Sequence, residues 1–238
     1  MIDVRRAASR MRSVPEKGIV TRHAFSFGGH YDPGNVRFGL LLACNEESLE
    51  PAAGFGEHPH RDTEIVTWVV EGELEHRDEG GAPHRLGPGG LQRLSAGGGV
   101  RHVERNAGGT RLTFVQMWLH PDTFGEAPAY ASVSDPAPPG PGLTLLATGA
   151  PDAPPRALRL RQRAAALYVG RPVTADSAPL PSAPYRYVHV VRGGVRLGDE
   201  LLTAGDAARI TGADALTARC EGPAEYLVWE MHAEPSYG

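Results

Sequence analysis

The sequence has little of what a disulfide-stabilised, membrane-spanning or nucleic-acid-binding protein needs. It contains only two cysteines, Cys44 and Cys220, which lie far apart without CxxC or zinc-type spacing and are interpreted as reduced structural thiols. No apolar run approaches the ~20 residues of a membrane helix, and no apolar stretch follows the basic N-terminal residues as a secretory signal requires. The net charge of -4 argues against a general nucleic-acid binder. We therefore expect a cytoplasmic protein with no membrane partner and no direct nucleic-acid partner.

Strong helical periodicity is also scarce, whereas the chain has 30 glycines and 21 prolines. Short apolar runs alternate with turn-forming residues, as in V-R-F-G-L-L-L-A, E-I-V-T-W-V-V and T-F-V-Q-M-W-L-H. Strands of this length between glycine-rich turns predict an all-β sandwich or barrel. The one candidate helix is R-A-L-R-L-R-Q-R-A-A-A-L at residues 156–167, a segment equally compatible with a strand and a loop.

The chain also contains an internal repeat. Residues 66–97 and 187–212 each give a β-run, a glycine turn, a second strand, and then another turn with an apolar strand. Between them, residues 121–155 are rich in Pro, Ala, Gly and Ser, a composition that argues against a central strand and indicates a connector. We therefore predict two jelly-roll β-barrel domains that face each other. Their bounds are residues 1–135 and 156–238, with a Pro-rich connector at 136–155.

Histidines in the first half indicate a metal site. On a strand, residues i and i+2 face the same side, roughly 6–7 Å apart at Cα, so His58 and His60 in E-H-P-H point the same way. An isolated His-x-His is more often a polar loop, but His102 and Glu104 in R-H-V-E repeat the spacing. Two antiparallel strands then supply three imidazoles and one carboxylate, a set that suits iron, nickel, cobalt, copper or manganese. Glu64 also lies in phase with the histidines on its strand, so periodicity leaves the fourth ligand open between Glu104 and Glu64.

These residues also carry a family resemblance. His58-x-His60, followed by Glu64 and Gly72, resembles the first cupin motif, and the glycine-rich turn before H-V-E-R-N resembles the second. More specifically, the chain is similar to the pirin family in R-H-A-F-S-F-G-G-H-Y-D-P, G-F-G-E-H-P-H-R-D-T-E-I-V-T-W-V-V-E-G, L-S-A-G-G-G-V-R-H-V-E and V-Q-M-W-L. The similarity covers most of residues 20–120 and is architectural beyond the connector.

The resemblance implies a bicupin, with a metal-binding N-terminal cupin domain and a degenerate C-terminal cupin domain without metal. It implies one divalent transition metal, iron first, with Mn, Co, Ni, Cu or Zn as alternatives. Its ligands are then His58, His60, His102 and Glu104, with Glu104 also the catalytic proton acceptor. Under this assignment Glu64 becomes a hydrogen-bond or ion-pair partner nearby.

Bacterial pirins with quercetin 2,3-dioxygenase activity indicate the reaction, in which dioxygen cleaves a flavonol or a related enol-bearing aromatic. The alternative is a non-catalytic, metal-dependent regulator that binds a cytosolic enzyme or transcription factor, a role discussed for eukaryotic pirins. Open coordination positions beside four protein ligands favour the enzyme. We expect a monomer, because an exposed Pro-rich connector does not indicate a large obligate interface.

The remaining histidines and aromatic residues are assigned to structure. His76 is at least as well explained as a turn or surface residue as by a position in the cavity, and His189 as a structural histidine of the second half. Trp68, Met117 and Trp118 are expected to fill barrel core rather than to line the cavity.

Overall fold

The computed structural model describes residues 1–212 and 214–235. Over these ranges the chain forms β-strands joined by turns, with one short 3-10 helix at Ala7–Ser9. The prediction of an all-β protein is confirmed. No helix in the described part of the chain is long and apolar enough to cross a membrane.

The strands of the first half of the chain run from residue 2 to residue 133. They are β1 (Ile2–Arg5), β2 (Met11–Ser13), β3 (Ile19–His23), β4 (Leu41–Leu49), β5 (Gly54–His60), β6 (Glu64–Glu71), β7 (Leu74–Asp78), β8 (His84–Leu86), β9 (Leu91–Ser95), β10 (Val100–Asn106), β11 (Leu112–Leu119) and β12 (Ala129–Val133). The strands of the second half are β13 (Gly140–Thr148), β14 (Leu158–Arg159), β15 (Ala165–Arg171), β16 (Asp176–Pro179), β17 (Tyr185–Arg192), β18 (Gly194–Leu197), β19 (Glu200–Thr203), β20 (Ala207–Thr211), β21 (Thr217–Cys220) and β22 (Glu225–Met231).

These strands form four sheets that stack as four layers. In the first half, a seven-stranded sheet in the order β12-β9-β6-β11-β4-β3-β2 packs on a four-stranded sheet, β5-β10-β7-β8. The second half repeats this with a seven-stranded sheet, β1-β20-β17-β22-β15-β13-β14, on a four-stranded sheet, β16-β21-β18-β19. The two seven-stranded sheets pack on each other, so the molecule is two β-sandwiches joined through their large sheets.

Side-chain alternation lets the large sheet of the first half serve two layers at once. On β4, Cys44 joins the core between the halves and Glu46 contacts His189 of the second half. Asn45 and Glu47 point the other way, into the first sandwich, where they line a cavity. Since successive residues of a strand face opposite sides, one strand supplies both the junction and the interior of the first sandwich.

Trp68 and Met117 are fully buried, but they lie between the two large sheets and not inside a barrel. Trp68 Nε1 donates to Glu225 Oε1 at 2.6 Å, and Trp229 Nε1 lies 3.0 Å from Met117 Sδ. Both contacts reach the second half, so these residues fill core as expected, but this core lies between the two halves. The large sheet of the first half is covered on both faces. The alternation of side chains along a strand does not show which face packs on the small sheet and which packs on the second half.

The segment predicted as a connector contains a paired strand. Residues 140–148 form β13, which lies between β14 and β15 in the large sheet of the second half, so the exclusion of a central strand here is wrong. Pro141 falls in an irregular stretch of the pairing, where the register with β15 shifts between Gly140 and Leu143. A proline is tolerated there because no regular ladder hydrogen bond needs its missing N–H.

Two further segments differ from the expectations. Residues 156–167 form the short β14, a loop and the start of β15, so the helical alternative is wrong and the alternative of strand and loop is confirmed. At the other end of the chain, β1 pairs with β20, with Ile2 opposite Ile210. Residues 2–5 therefore belong to a sheet of the second half, although they precede the whole first half in sequence.

Candidate metal centre and cavity

Three histidines meet on the small sheet of the first half. His58 and His60 lie on β5 and His102 on the neighbouring antiparallel β10, with His102 opposite His58 and Val100 opposite His60. One ring nitrogen from each lies within 4.8 Å of the others, and His102 Nε2 is 3.0 Å from His58 Nε2. The i, i+2 spacing on one strand and the cross-strand register together bring the three imidazoles to one point.

Glu104 lies beside this trio but outside the group of mutually close nitrogens. The pairing of β10 with β5 is irregular between His102 and Glu104. The Glu104 carboxylate is fully buried and accepts hydrogen bonds from Gln92 Nε2 at 2.7 Å and Gln116 Nε2 at 2.8 Å. It also lines the cavity that His58 and His60 line, so it remains within the same polar centre.

Two neighbouring donors fix the orientation of these amides. Tyr130 Oη donates to Gln92 Oε1 at 3.1 Å, and Trp118 Nε1 donates to Gln116 Oε1 at 3.1 Å. With both amide oxygens engaged as acceptors, both NH₂ groups face Glu104. This arrangement fits an ionised carboxylate, which can only accept.

Glu64, the alternative fourth ligand, is directed elsewhere. It lies at the start of β6 and accepts a hydrogen bond from the backbone N–H of Arg161, in the second half, at 3.1 Å. It does not line the cavity next to the histidines, as far as the described residues define that cavity. Glu64 thus ties the first half to a loop of the second.

The protonation states match a metal-binding donor set. Burial lowers the pKa of His60 to about 4, with the neighbouring His102 and His58 adding to the effect. Burial likewise lowers the pKa of His102 to about 4. Burial opposes ionisation of Glu104, but a hydrogen bond from His76 and the charges of His102 and His76 outweigh it and lower its pKa to about 2. Neutral imidazoles and an ionised carboxylate are the forms that coordinate a divalent metal, so the residues fit one.

His76 is buried beside the centre, so of the two alternatives for it the surface histidine is wrong. His76 Nδ1 lies 3.3 Å from His102 Nδ1, and its Nε2 lies 2.9 Å from Asp78 Oδ1. His76 Nδ1 also lies 3.8 Å from Glu104 Oε1, and although burial lowers the pKa of His76, the hydrogen bonds and charges of Glu104 and Asp78 outweigh it and raise that pKa above its ordinary value. His76 therefore lies between Asp78 and Glu104, next to His102.

A cavity of about 870 Å³ opens next to the histidines, a size that accommodates a drug-sized molecule. Its apolar lining includes Phe27, Phe55 and Trp118. The Trp118 ring meets the rings of Phe27 and His60 edge to face, each at 5.0 Å between centroids. The expectation that Trp118 fills core is therefore wrong, because its position on β11 turns it toward the small sheet.

A row of polar side chains crosses the large sheet beneath this cavity. Strand pairing places His23 opposite Asn45, Asn45 opposite Gln116, Gln116 opposite Thr67, and Thr67 opposite Gln92. The residues come from β3, β4, β11, β6 and β9, and all five are buried. Sequence reasoning missed them, although Thr67 on β6 and Gln116 on β11 each interrupt an apolar run.

A protein of two such β-sandwiches, with a histidine cluster inside one of them, is a bicupin. A family model described as pirin matches residues 4–119, and one described as the quercetinase C-terminal cupin domain matches residues 148–231. The chain belongs to the pirin family.

Relatives and solved structures agree with this assignment. A Mycobacterium tuberculosis protein, provisionally named a quercetin 2,3-dioxygenase, is 43% identical over 238 residues, covering 98% of this chain and 96% of the relative. The quercetin 2,3-dioxygenase of Escherichia coli K12 is 32% identical, covering 88% and 90%. The crystal structure of the Escherichia coli pirin YhhW in complex with nickel(II) matches with a TM-score of 0.89 at 30% identity, covering 99% of this chain and 100% of that one.

Proposed function

We propose that this protein is a metal-dependent dioxygenase that cleaves a flavonol, with the metal held by His58, His60, His102 and Glu104. The observation that carries the proposal is the donor set, three imidazoles and a buried carboxylate, at the wall of a largely apolar cavity. Relatives named quercetin 2,3-dioxygenase support a flavonol as substrate and dioxygen as co-substrate. Iron is the first candidate for the metal, with nickel, manganese, cobalt, copper and zinc as alternatives.

A divalent metal bound here supplies Lewis acidity, which makes a flavonol hydroxyl acidic enough to ionise near neutral pH. The protein supplies the acceptor for that proton. Glu104 is ionised, lines the cavity and is oriented from behind by Gln92 and Gln116. We propose that one oxygen of Glu104 takes the hydroxyl proton of the substrate.

The apolar lining positions the substrate and limits the access of water. Phe27, Phe55 and Trp118 present ring faces and edges to the cavity, and flat aromatic ligands pack well against such surfaces. Exclusion of water strengthens the electrostatic interactions of Glu104 with whatever is bound beside it.

The test is oxygen uptake with quercetin, using metal-free protein reloaded separately with each of the six metals. We expect uptake that depends on the metal, and its loss in His58→Ala together with the loss of one bound ion per chain. His232→Ala is the matched control, because His232 follows β22 on the surface, where its Nε2 lies 2.7 Å from Glu230 Oε1. Turnover that persists in His58→Ala without bound metal would show that the proposed mechanism is wrong.

A further inference from the structure

The cavity has a second polar wall, on the large sheet and opposite the histidines of the small sheet. We call it the β2–β4 wall, and it consists of Ser13, Thr21, His23, Asn45 and Glu47. The strands β2, β3 and β4 are adjacent, and their register places His23 opposite Asn45 and Thr21 opposite Glu47. None of the five residues is a proposed metal ligand, so the wall has no role yet in the proposed function.

Hydrogen bonds join the wall into one directed network. His23 Nδ1 lies 3.2 Å from Asn45 Oδ1, and His23 Nε2 lies 2.7 Å from Ser13 Oγ. Because an amide oxygen only accepts, His23 donates from Nδ1 and accepts the Ser13 hydroxyl proton at Nε2. The amide nitrogen of Asn45 is then free to donate to Glu47, with which it interacts.

Glu47 is where this network ends. Its side chain is almost fully buried, and Thr21 Oγ1 is hydrogen-bonded to its Oε2. Among residues 1–212 and 214–235, no lysine or arginine forms an ion pair with Glu47. Burial raises its pKa to about 8, and the charge of Glu104 adds to the rise despite the hydrogen bonds from Thr21 and Asn45. At neutral pH, Glu47 therefore carries a proton.

A neutral carboxyl group beside a hydroxyl and an amide can both donate and accept hydrogen bonds. A phenolic hydroxyl has the same dual capacity and no charge, so it matches the wall. A carboxylate or phosphate ligand does not, because the wall offers it no cation and Glu104 is ionised nearby. We propose that Glu47, Thr21 and Asn45 form a subsite that binds a phenolic hydroxyl on the pendant ring of the substrate and so determine which flavonols are accepted.

This inference rests on the proposed function for the identity of the ligand, so binding and turnover are measured separately. The ligands are quercetin and galangin, which differ in the two hydroxyls of the pendant ring. Quenching of tryptophan fluorescence reports binding, because Trp118 lines the cavity. The variants are Thr21→Val and Glu47→Leu, and Thr113→Val is the matched control, since Thr113 Oγ1 donates to Glu71 outside the cavity.

We expect Thr21→Val and Glu47→Leu to weaken quercetin binding about tenfold and to leave galangin binding within about threefold of the wild type. Thr113→Val should bind both flavonols as the wild type does. If Glu47→Leu does not fold, as judged by its thermal unfolding, Thr21→Val decides alone, because threonine and valine have the same shape.

Every other result also either supports or refutes the subsite or the proposed reaction. Equal weakening of both flavonols, or none, would overturn the subsite even if oxygen uptake proves the dioxygenase. A selective loss of quercetin binding without turnover on any metal would support the subsite and refute the proposed reaction. Failure of the wild type to bind either flavonol would overturn both.

Discussion

The two sandwiches share one layered architecture but differ in what fills them. Between the sheets of the second sandwich lies an apolar cluster that includes Val188, Ile210 and Val228. Its buried Arg186 donates to the backbone carbonyl of Gly212 at one end. The corresponding space in the first sandwich contains a row of buried amides, a buried carboxylate and a cavity. The architecture is therefore stable with an apolar filling, and the polar residues of the first sandwich serve the site and not the fold.

The largest expected effect comes from making the second interior resemble the first. Val228→Gln removes apolar burial on the central strand β22 and buries an amide among Val188 and its apolar neighbours, with no partner built for it. We expect a loss of about 3 kcal/mol in the free energy of unfolding, measured by urea denaturation. Val228→Ala is the control that removes burial without adding a polar group. If Val228→Gln lowers the free energy of unfolding no more than Val228→Ala does, the second interior tolerates a buried amide and the contrast between the two interiors is wrong.

The reverse change in the first interior should affect the metal more than the fold. Gln116→Leu removes the N–H that donates to Glu104 Oε2 at 2.8 Å. We expect the metal affinity to fall about tenfold, as is typical when a partner that orients a ligand is lost, in a competition titration against a chromophoric chelator. Trp118→Phe removes the donor to Gln116 Oε1 but keeps an aromatic ring next to His60, and it should give a smaller fall. Unchanged affinity in a folded Gln116→Leu variant would show that Glu104 needs no support from this row.

The smallest effect concerns the one histidine of the second half that is fully buried. His189 points away from its own sandwich, and its Nε2 lies 3.0 Å from Glu46 Oε1 at the junction. Burial lowers the pKa of His189 below its ordinary 6.5. Just below pH 6.5, His189 is therefore protonated in the unfolded chain but still neutral in the folded protein. Stability from this residue is therefore present above pH 6.5 and declines as the pH falls.

We expect the wild type to lose about 1 kcal/mol more than His189→Gln between pH 7 and 5.5, measured as the free energy of unfolding at each pH. His232→Gln, at an exposed histidine, is the control for the substitution itself. Equal slopes for the wild type and His189→Gln would show that His189 is protonated in the folded protein.

Local spacing explains why part of this site could be predicted from the sequence. His58, His60 and His102 follow the period of two residues, and adjacent antiparallel strands need only the correct register to bring them together. The choice between Glu104 and Glu64 has no such basis, because in the sequence both keep an even spacing from a histidine, and only the folded chain shows that Glu64 lies on β6 and not on the strand of His58 and His60. Only the folded chain shows that Glu64 accepts from the backbone of Arg161, 97 positions away.

Other features depend on contacts that no local pattern encodes. Gln116 and Met117 are neighbours on β11, yet one supports Glu104 and the other packs against Trp229 of the second half. Which face of a doubly covered sheet meets which layer follows from the arrangement of all four sheets. The pairing of β13 has a similar origin, since Pro141 and the prolines before it argue locally against a strand, whereas β15 offers β13 an edge with which to form hydrogen bonds.

The pairing of β1 with β20 has a consequence for how the protein is made. Ile2 lies opposite Ile210, so its partner leaves the ribosome 208 residues later. At ~5–20 residues per second, that delay is roughly 10–40 s. The first sandwich can fold before the last strand of the second sandwich has been synthesised. Residues 2–5 stay unpaired during that time. The two halves are thus consecutive in sequence but do not fold independently. The large sheet of the second half is completed by a strand that is synthesised before both halves.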